Sequence, residues 1–183
     1  GQDDDDDRRF AQYIHGPLRH MLKGRPDIGV DRPLSCLSWV FDHGGLAARV
    51  IEADGSFTAI ADRFAGKRFN SPNDLVIAKN GVVYFTDPPY GLPGFYNDKR
   101  KELDYAGVFM IKNGITTVVA KDPGGPNGIA FSPDEKYLYV SNWDIRDIHH
   151  TKTLWRYEVN TDGSLQHGKI LADWNFTEGD EAL

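Results

Sequence analysis

The feature that most constrains the fold is a repeat of short apolar segments joined in pairs by turns that end in glycine. The turns are Asp54-Gly55, Asn113-Gly114 and Asp162-Gly163, and they begin 59 and 49 residues apart. Asp-Gly or Asn-Gly between such segments indicates a β-hairpin, because glycine accepts the positive φ that a tight turn requires. We therefore predict a pair of antiparallel strands around each turn.

A second kind of hairpin alternates with the first. Ser71–Ile77 is followed by Val82–Thr86, and Gly125–Phe131 is followed by Tyr137–Val140. Both pairs open with Pro-Asn, at positions 72–73 and 126–127, which lie 54 residues apart. A period near 50 residues with four strands in each period is typical of propeller blades. We predict an all-β protein with the β-propeller fold and about three to four blades in this chain.

The first part of the chain does not follow the repeat. Residues 1–33 are predicted to be a poorly ordered leader, and residues 34–183 a partial β-propeller. The leader contains the acidic run Asp3–Asp7, which we interpret as a solvated charge block rather than a cation-binding tail. Cys36 is the single cysteine, so an internal disulfide is excluded.

Charge and hydropathy exclude two classes of partner. Without the Asp3–Asp7 run and the two arginines that follow it, 22 acidic residues stand against 19 basic ones. A nucleic-acid-binding protein needs a surplus of positive charge against the phosphates, so we predict no nucleic-acid partner. The apolar stretches are far shorter than the roughly 20 residues that cross a bilayer, so we predict no membrane partner either. A cytoplasmic location is the default expectation, because no signal pattern is seen.

The two Pro-Asn positions are the candidate functional residues. Asn73 and Asn127 stand at equivalent points in successive blades, where the loops that enter the innermost strands face the central channel. Carboxamide oxygens are neutral hard ligands that suit Ca²⁺ or Mg²⁺. Alternatively, each asparagine caps its own turn, which is common for this residue. The spacing alone leaves both interpretations open.

Several long motifs resemble a known family. They are Gly66–Val76, Tyr84–Gly91 and Pro126–Asp134, and they are similar to the senescence-marker-protein/gluconolactonase family, which includes luciferin-regenerating enzyme. The stretch Asp42–Gly45 also resembles a Glu-His-Gly-Gly segment of its bacterial gluconolactonase branch. The resemblance implies a six-bladed propeller that hydrolyses sugar lactones with one divalent cation. Ca²⁺ is the first choice, with Zn²⁺ and Mg²⁺ as alternatives.

The resemblance also implies roles for individual residues. Asn73 and Asn127 match two asparagines that bind the metal in the family, and Asn73 matches one that contacts substrate as well. Asp87 and Tyr90 fall where family members line the substrate pocket. His43 is a candidate general base or substrate donor, with a turn residue as the alternative.

Two family carboxylates have no counterpart in the chain. An early Glu in a Glu-Gly-Pro motif does not occur, and the late Asp, the family's ligand and general base, is expected beyond Leu183. The catalytic residue is therefore unknown, and we expect the chain to be a fragment of the six-bladed protein. The alternative function is a non-catalytic propeller fragment that only binds ligands or partners. Its open edges predict self-association. A strictosidine-synthase-like propeller ranks last, because it does not account for the long motifs.

Overall fold

The computed structural model describes residues 47–51, 57–146 and 151–174, and these residues are almost entirely β. A hairpin and a short ribbon come first in the chain, and two four-stranded antiparallel sheets follow. The hairpin and ribbon consist of β1 (Ala48–Ile51), β2 (Phe57–Ala61), β3 (Arg63–Phe64) and β4 (Lys67–Arg68).

The two sheets each follow the chain as a simple meander. The first blade is the sheet of β5 (Leu75–Ile77), β6 (Val83–Asp87), β7 (Gly107–Lys112) and β8 (Ile115–Ala120). The second blade is the sheet of β9 (Pro126–Phe131), β10 (Tyr137–Asp144), β11 (Thr151–Val159) and β12 (Leu165–Asp173). Within the described ranges, the one helical element is a 3₁₀ turn at Phe95–Asn97. The all-β prediction is confirmed, with four strands in each repeat.

The turn between β7 and β8 shows how the sequence sets the hairpins. Asn113 has a φ of 53° and Gly114 a φ of 75°. Two successive positive φ values are characteristic of the type I′ turn, whose twist matches that of the flanking strands. The predicted Asn-Gly hairpin is therefore confirmed here, whereas Asp54-Gly55 lies outside the described residues.

The strand β7 is apolar on both faces because it lies between two packed layers. Val108 and Met110 face a core shared with the second blade, where they pack with Leu138 and Val140. Phe109 points to the opposite face of the sheet, as the period of two in a strand requires. The sequence of a strand with both faces covered is a continuous apolar run rather than an alternation of apolar and polar residues.

The second core is built mostly from aromatic rings around Phe109. The rings of Phe64 and Phe69 meet Phe109 edge-on at centroid distances of 5.3 and 5.1 Å, and Phe85 stacks on it at 5.4 Å. Edge-on and offset arrangements suit the quadrupole of these rings. This aromatic core joins the ribbon β3–β4 to the first blade.

Several expectations fall on residues that the structure does not describe. They are the leader at residues 1–33, its boundary at residue 34, and His43. Within the described ranges, no helix has the length and apolar character needed to cross a bilayer. The cytoplasmic location and the self-association stay predictions.

The aromatic core predicts a large cost for truncating its central ring. Phe109→Ala should lower the free energy of unfolding by about 3–5 kcal/mol, because the ring is fully buried and a cavity would remain. Phe95→Ala is the matched control, since Phe95 is 44% exposed, and it should change stability by about 0.5 kcal/mol or less. Urea unfolding of the full chain measures both. Similar losses for the two variants would contradict this packing.

Candidate functional site

The site is built where the two blades meet. The strand β9 lies against β5 and β6. The Thr86 hydroxyl at the end of β6 donates to the backbone carbonyl of Asn127 at 2.6 Å. From the other side, the Ile129 N–H donates to the Asp74 carboxylate at 3.0 Å. These two bonds fix the start of the second blade against the segment that enters the first blade.

The same contact brings the two predicted asparagines together. Asn73 Nδ2 donates to Asn127 Oδ1 at 3.0 Å, although the residues are 54 positions apart in the chain. Both residues are partly exposed. The hydrogen bond that the structure describes for these side chains joins them to each other rather than to their own turns. The blade repeat therefore places two carboxamides from equivalent positions at one point.

A buried carboxylate holds the segment that leads to Asn73. Asp87 is fully buried, and it accepts hydrogen bonds from the backbone N–H groups of Asn70 at 2.9 Å and Ser71 at 2.8 Å. The Asn70 side-chain amide adds a third bond to the same carboxylate at 3.1 Å. Burial raises the pKa of Asp87 to about 7, although these hydrogen bonds and the charge of Lys101 act in the opposite direction.

The segment is also tied down on its other side. Asn70 donates to the carbonyl of Tyr105 at 2.8 Å, and the Gly91 N–H donates to the Ser71 hydroxyl at 2.9 Å. These contacts surround residues 70–73 with fixed partners from the connection between β6 and β7. Movement of the segment would break these buried hydrogen bonds, so the network restrains the path of the backbone up to Asn73.

Tyr90 crosses from the first blade to the second. Its hydroxyl donates to the backbone carbonyl of Trp143 at the end of β10, and its ring lies 5.6 Å from the Trp143 ring. Burial, followed by the nearby Tyr96, raises the pKa of the Tyr90 hydroxyl, so the group stays a protonated donor. Tyr96 in turn donates to the carbonyl of Gly124 at 2.7 Å.

The approach of Tyr90 depends on a residue without a side chain. A Cβ on Gly125 would lie 2.2 Å from the Tyr90 hydroxyl oxygen and 2.3 Å from the Trp143 carbonyl oxygen. The Gly125 N–H donates to the side chain of the buried Asn142 at 2.7 Å. Glycine is therefore required here by close approach, immediately before the Pro-Asn pair at 126–127.

The predicted site residues have different surroundings in the structure. Asn73 and Asn127 are in direct contact. Tyr90 lies shortly after the end of β6 and bonds to Trp143 at the end of β10. The described contacts of Asp87 give it a positioning role behind this surface, and its predicted contact with substrate stays a prediction. In the described part of the chain, no group of three or more His, Cys, Asp or Glu residues could hold a metal ion.

Sequence reasoning missed three polar residues that shape the site. Thr86 and Asp74 link the blades, and Asn142 fixes Gly125. Asp74 also accepts a hydrogen bond from the adjacent Leu75 N–H at 2.8 Å, as a residue that caps the following turn does. Its bond to Ile129 spans 55 positions, and no local pattern indicates such a partner. The one local signal was the position of Asp74 directly after the Pro72-Asn73 pair.

The fold and the paired carboxamides define a class, a partial β-propeller with polar side chains gathered where successive blades meet. Residues 36–181 match the family described as the SMP-30/Gluconolactonase/LRE-like region. The chain belongs to this family. The resemblance and the partial propeller predicted from the sequence are confirmed.

Individual relatives agree with this assignment. A gluconolactonase of Zymomonas mobilis is 41% identical over 147 residues, which are 79% of this chain and 40% of that protein. The lactonohydrolase oryL of Aspergillus oryzae is 35% identical over 48% of this chain and 20% of its own length. A solved gluconolactonase from Xanthomonas campestris superimposes with a TM-score of 0.60 at 35% identity, covering 70% of this chain and 42% of that one. The chain thus spans about two-fifths of the Zymomonas relative.

The Asp87 network predicts a pH dependence of stability. Its pKa is raised from 3.8 to about 7 on folding, so the folded state favours the protonated acid. The contribution of Asp87 is therefore largest below pH 3.8 and is lost as the pH rises through about 7. Asp87→Asn cannot titrate, so its unfolding free energy should lack this pH-dependent loss. The unfolding free energy of wild type minus that of the variant should therefore decrease as the pH rises from 4 to 8.

Chemical denaturation of both proteins across that range measures the difference. Asp98→Asn is a control, because Asp98 is paired with the exposed Arg100 and its pKa is lowered rather than raised. A difference between wild type and Asp87→Asn that stays constant with pH would contradict the titration of Asp87.

Proposed function

We propose that this chain contributes part of the active site of a lactone hydrolase that acts on sugar lactones. The proposal rests on one observation above all, the contact between Asn73 and Asn127 at the meeting point of two blades. The 41% identity to a gluconolactonase supports the reaction class and the substrate class. The family membership supports the same reaction on the same fold.

We further propose a divalent cation at this pair, with Ca²⁺ as the first choice. Two oxygen ligands that each lie about 2.4 Å from one Ca²⁺ are themselves about 3 Å apart. The side-chain ends of Asn73 and Asn127 are 3.0 Å apart, so their spacing fits neighbouring ligands of one ion. Turning the Asn73 amide would present its oxygen instead of its nitrogen, and the two ends of an amide differ little in shape.

Two neutral carboxamides supply only some of the ligands that such a site needs. Ca²⁺ takes six to eight oxygen ligands and usually at least one carboxylate. The described residues hold no group of three or more His, Cys, Asp or Glu that could bind a metal ion, so we assign the remaining charged ligands to residues outside them. When bound, a divalent cation supplies Lewis-acid polarisation of a carbonyl oxygen. The general base for water is likewise assigned to a carboxylate outside the described residues.

The chain's own residues would then bind and orient the substrate. Asn73 and Asn127 present carboxamide groups that can hydrogen bond to a lactone or to its ring hydroxyls. Asp87 and Thr86 hold the backbone on either side of this pair, so the groups need little reorganisation when substrate arrives. The Tyr90 hydroxyl is occupied by the Trp143 carbonyl, so Tyr90 would offer its ring rather than a donor.

The proposal predicts that one asparagine controls both cation binding and turnover. Asn127→Ala should abolish Ca²⁺ binding and lower the hydrolysis of D-glucono-1,5-lactone by at least about a hundredfold, because the side chain would touch both the cation and the substrate. The fold should survive, since the bond from Thr86 goes to the Asn127 backbone. Calorimetric titration with Ca²⁺, Zn²⁺ and Mg²⁺ and a pH-stat assay, both on the complete six-bladed protein that supplies the two carboxylates, measure the two effects.

Asn160→Ala is the matched control. Asn160 also bonds through its side chain, to Ser164 at 2.9 Å, but it lies in the turn between β11 and β12. Its loss should leave cation affinity and turnover within about twofold of wild type. If wild type binds a sugar lactone without hydrolysing it, the alternative of a non-catalytic binding fragment replaces the proposal. If Asn127→Ala keeps full activity, the assignment of this residue is wrong.

A further inference from the structure

Three asparagines of the chain are directly followed by glycine. They are Asn80, Asn113 and Asn127. In such a pair, the backbone nitrogen of the glycine can attack the side-chain carbonyl carbon of the asparagine, and glycine has no Cβ to hinder the approach. Asparagine belongs to the thermolabile residues of proteins for this kind of reason. The structure gives the three asparagines different surroundings, which predicts different reactivity.

Asn80 is held on both sides of the bond that would have to rotate. Its side-chain oxygen accepts a hydrogen bond from the Val82 N–H at 3.1 Å. The following Gly81 N–H donates to the Ala78 carbonyl at 2.8 Å. The nitrogen that would attack is therefore engaged as a donor, and the side chain that would be attacked is fixed. Both hydrogen bonds must break before the two groups can react.

Asn127 is restrained in the same two ways. Its side-chain oxygen accepts from Asn73 at 3.0 Å, and the Gly128 N–H donates to the Ser141 hydroxyl at 2.8 Å. A Cβ on Gly128 would lie 3.1 Å from the Ser141 hydroxyl oxygen, so this hydroxyl packs directly against the glycine. Gly128 also belongs to β9, which pairs with β10. A candidate ligand of the proposed cation is thus placed where its reactive neighbour is blocked.

Asn113 has neither restraint. Asn113 and Gly114 are both exposed, and they form the turn between β7 and β8. The flanking residues Lys112 and Ile115 pair with each other, which leaves the glycine N–H of a type I′ turn to solvent. Among the hydrogen bonds of the described residues, none involves the Asn113 side chain or the Gly114 N–H. A Cβ on Gly114 would have no atom within 4 Å, so the space around it is open.

We propose that Asn113 is a site of spontaneous covalent modification in the folded protein, and that the Ser141 hydroxyl protects Asn127 from the same reaction. The modification is loss of the side-chain amide nitrogen as ammonia, with closure of a succinimide ring onto Gly114. It is independent of lactone hydrolysis, because it requires neither substrate nor cation. One dipeptide in three different surroundings supports it, since only at Asn113 are both reacting groups without a hydrogen bond in the described part of the chain.

The reaction has two steps, and water is its co-reactant. In the first step, the Gly114 nitrogen gives up its proton to a base in the solvent and attacks the side-chain carbonyl carbon of Asn113. A carbon–nitrogen bond forms, the bond to the side-chain nitrogen breaks, and that nitrogen takes up a proton and leaves as ammonia. In the second step, water adds to one of the two ring carbonyls and breaks its bond to the Gly114 nitrogen. The product is aspartate or isoaspartate, according to which carbonyl is opened.

The two products change the turn between β7 and β8 differently. Both add a negative charge. Aspartate followed by glycine still suits a type I′ turn. Isoaspartate inserts a methylene group into the main chain, and a two-residue turn with φ values of 53° and 75° has no place for it without a change in strand register. Because β7 supplies Val108 and Phe109 to the two cores, this product acts on the packing of the first blade.

The test follows the three asparagines in one sample of the full chain. The folded protein is incubated in a mildly alkaline buffer, digested under acidic conditions that slow the reaction, and analysed by peptide mass spectrometry. Asn113 should be converted at least about tenfold faster than Asn80 and Asn127, because each of these must first break two hydrogen bonds. Enzymatic methylation should detect isoaspartate at position 113. In chain unfolded by urea, where the hydrogen bonds are lost, the three rates should agree within about threefold.

Ser141→Ala tests the protection of Asn127. The variant leaves the Gly128 N–H without its partner, so conversion of Asn127 should rise at least about fivefold. The rates at Asn80 and Asn113 should change less than about twofold, because neither residue contacts Ser141. Ser141→Thr is the matched control. It keeps the hydroxyl group, so its rate at Asn127 should stay near that of wild type.

Each contrary outcome refutes a definite part of the proposal. Equal rates at the three asparagines of folded wild type, or fastest conversion at Asn80 or Asn127, would overturn the assignment of Asn113. Conversion of Asn113 to aspartate without isoaspartate would overturn the ring-closure route. An unchanged rate at Asn127 in Ser141→Ala would overturn the protective role of Ser141. An equal rise at all three asparagines in that variant would assign the effect to loss of the fold and overturn the same role.

Discussion

The hydrogen bonds between the blades are the interaction on which the site depends. Thr86 donates to the Asn127 carbonyl at 2.6 Å, and Asp74 accepts from the Ile129 N–H at 3.0 Å. A single four-stranded blade could bury its apolar faces in several ways, but these bonds fix one offset between neighbours. With that offset, residues at equivalent positions of successive blades come into contact, as Asn73 and Asn127 do. The function proposed for Asn73 and Asn127 follows from this constraint.

Stability and site geometry are connected through the same strands. The aromatic core around Phe109 holds the first blade, and the apolar core of Val108, Leu138 and Val140 joins it to the second. Because the central residues of these cores are fully buried, the strand ends above them have little freedom. A buried acid, Asp87, then extends this rigidity into the loop that carries Asn73. The candidate site is therefore held in place by the two cores and by the hydrogen bonds of Asp87.

Much of the fold could be predicted from the sequence, because the hairpin turns and the Pro-Asn positions repeat at nearly constant spacing. The pairing of Asn73 with Asn127 could be predicted for the same reason. The extents of β10 and β11 could not, since Trp143 and Asp144 pair with Lys152 and Thr151 through backbone groups that leave no apolar pattern. The hydrogen bonds of Asp87 to the segment before Asn73 could not be predicted either. Its partners lie 16 and 17 positions away, and burial of a carboxylate is decided by tertiary packing rather than by local sequence.

The most direct test of the central claim is the anomalous scattering of a cation in crystals of the complete six-bladed protein. Crystals saturated with Ca²⁺ and measured at long wavelength would locate the ion without any assumption about activity. The account predicts one strong peak about 2.3–2.6 Å from a carboxamide oxygen of both Asn73 and Asn127. A peak that touches neither asparagine, or a saturated crystal in which Asn73 still donates to Asn127, would contradict it.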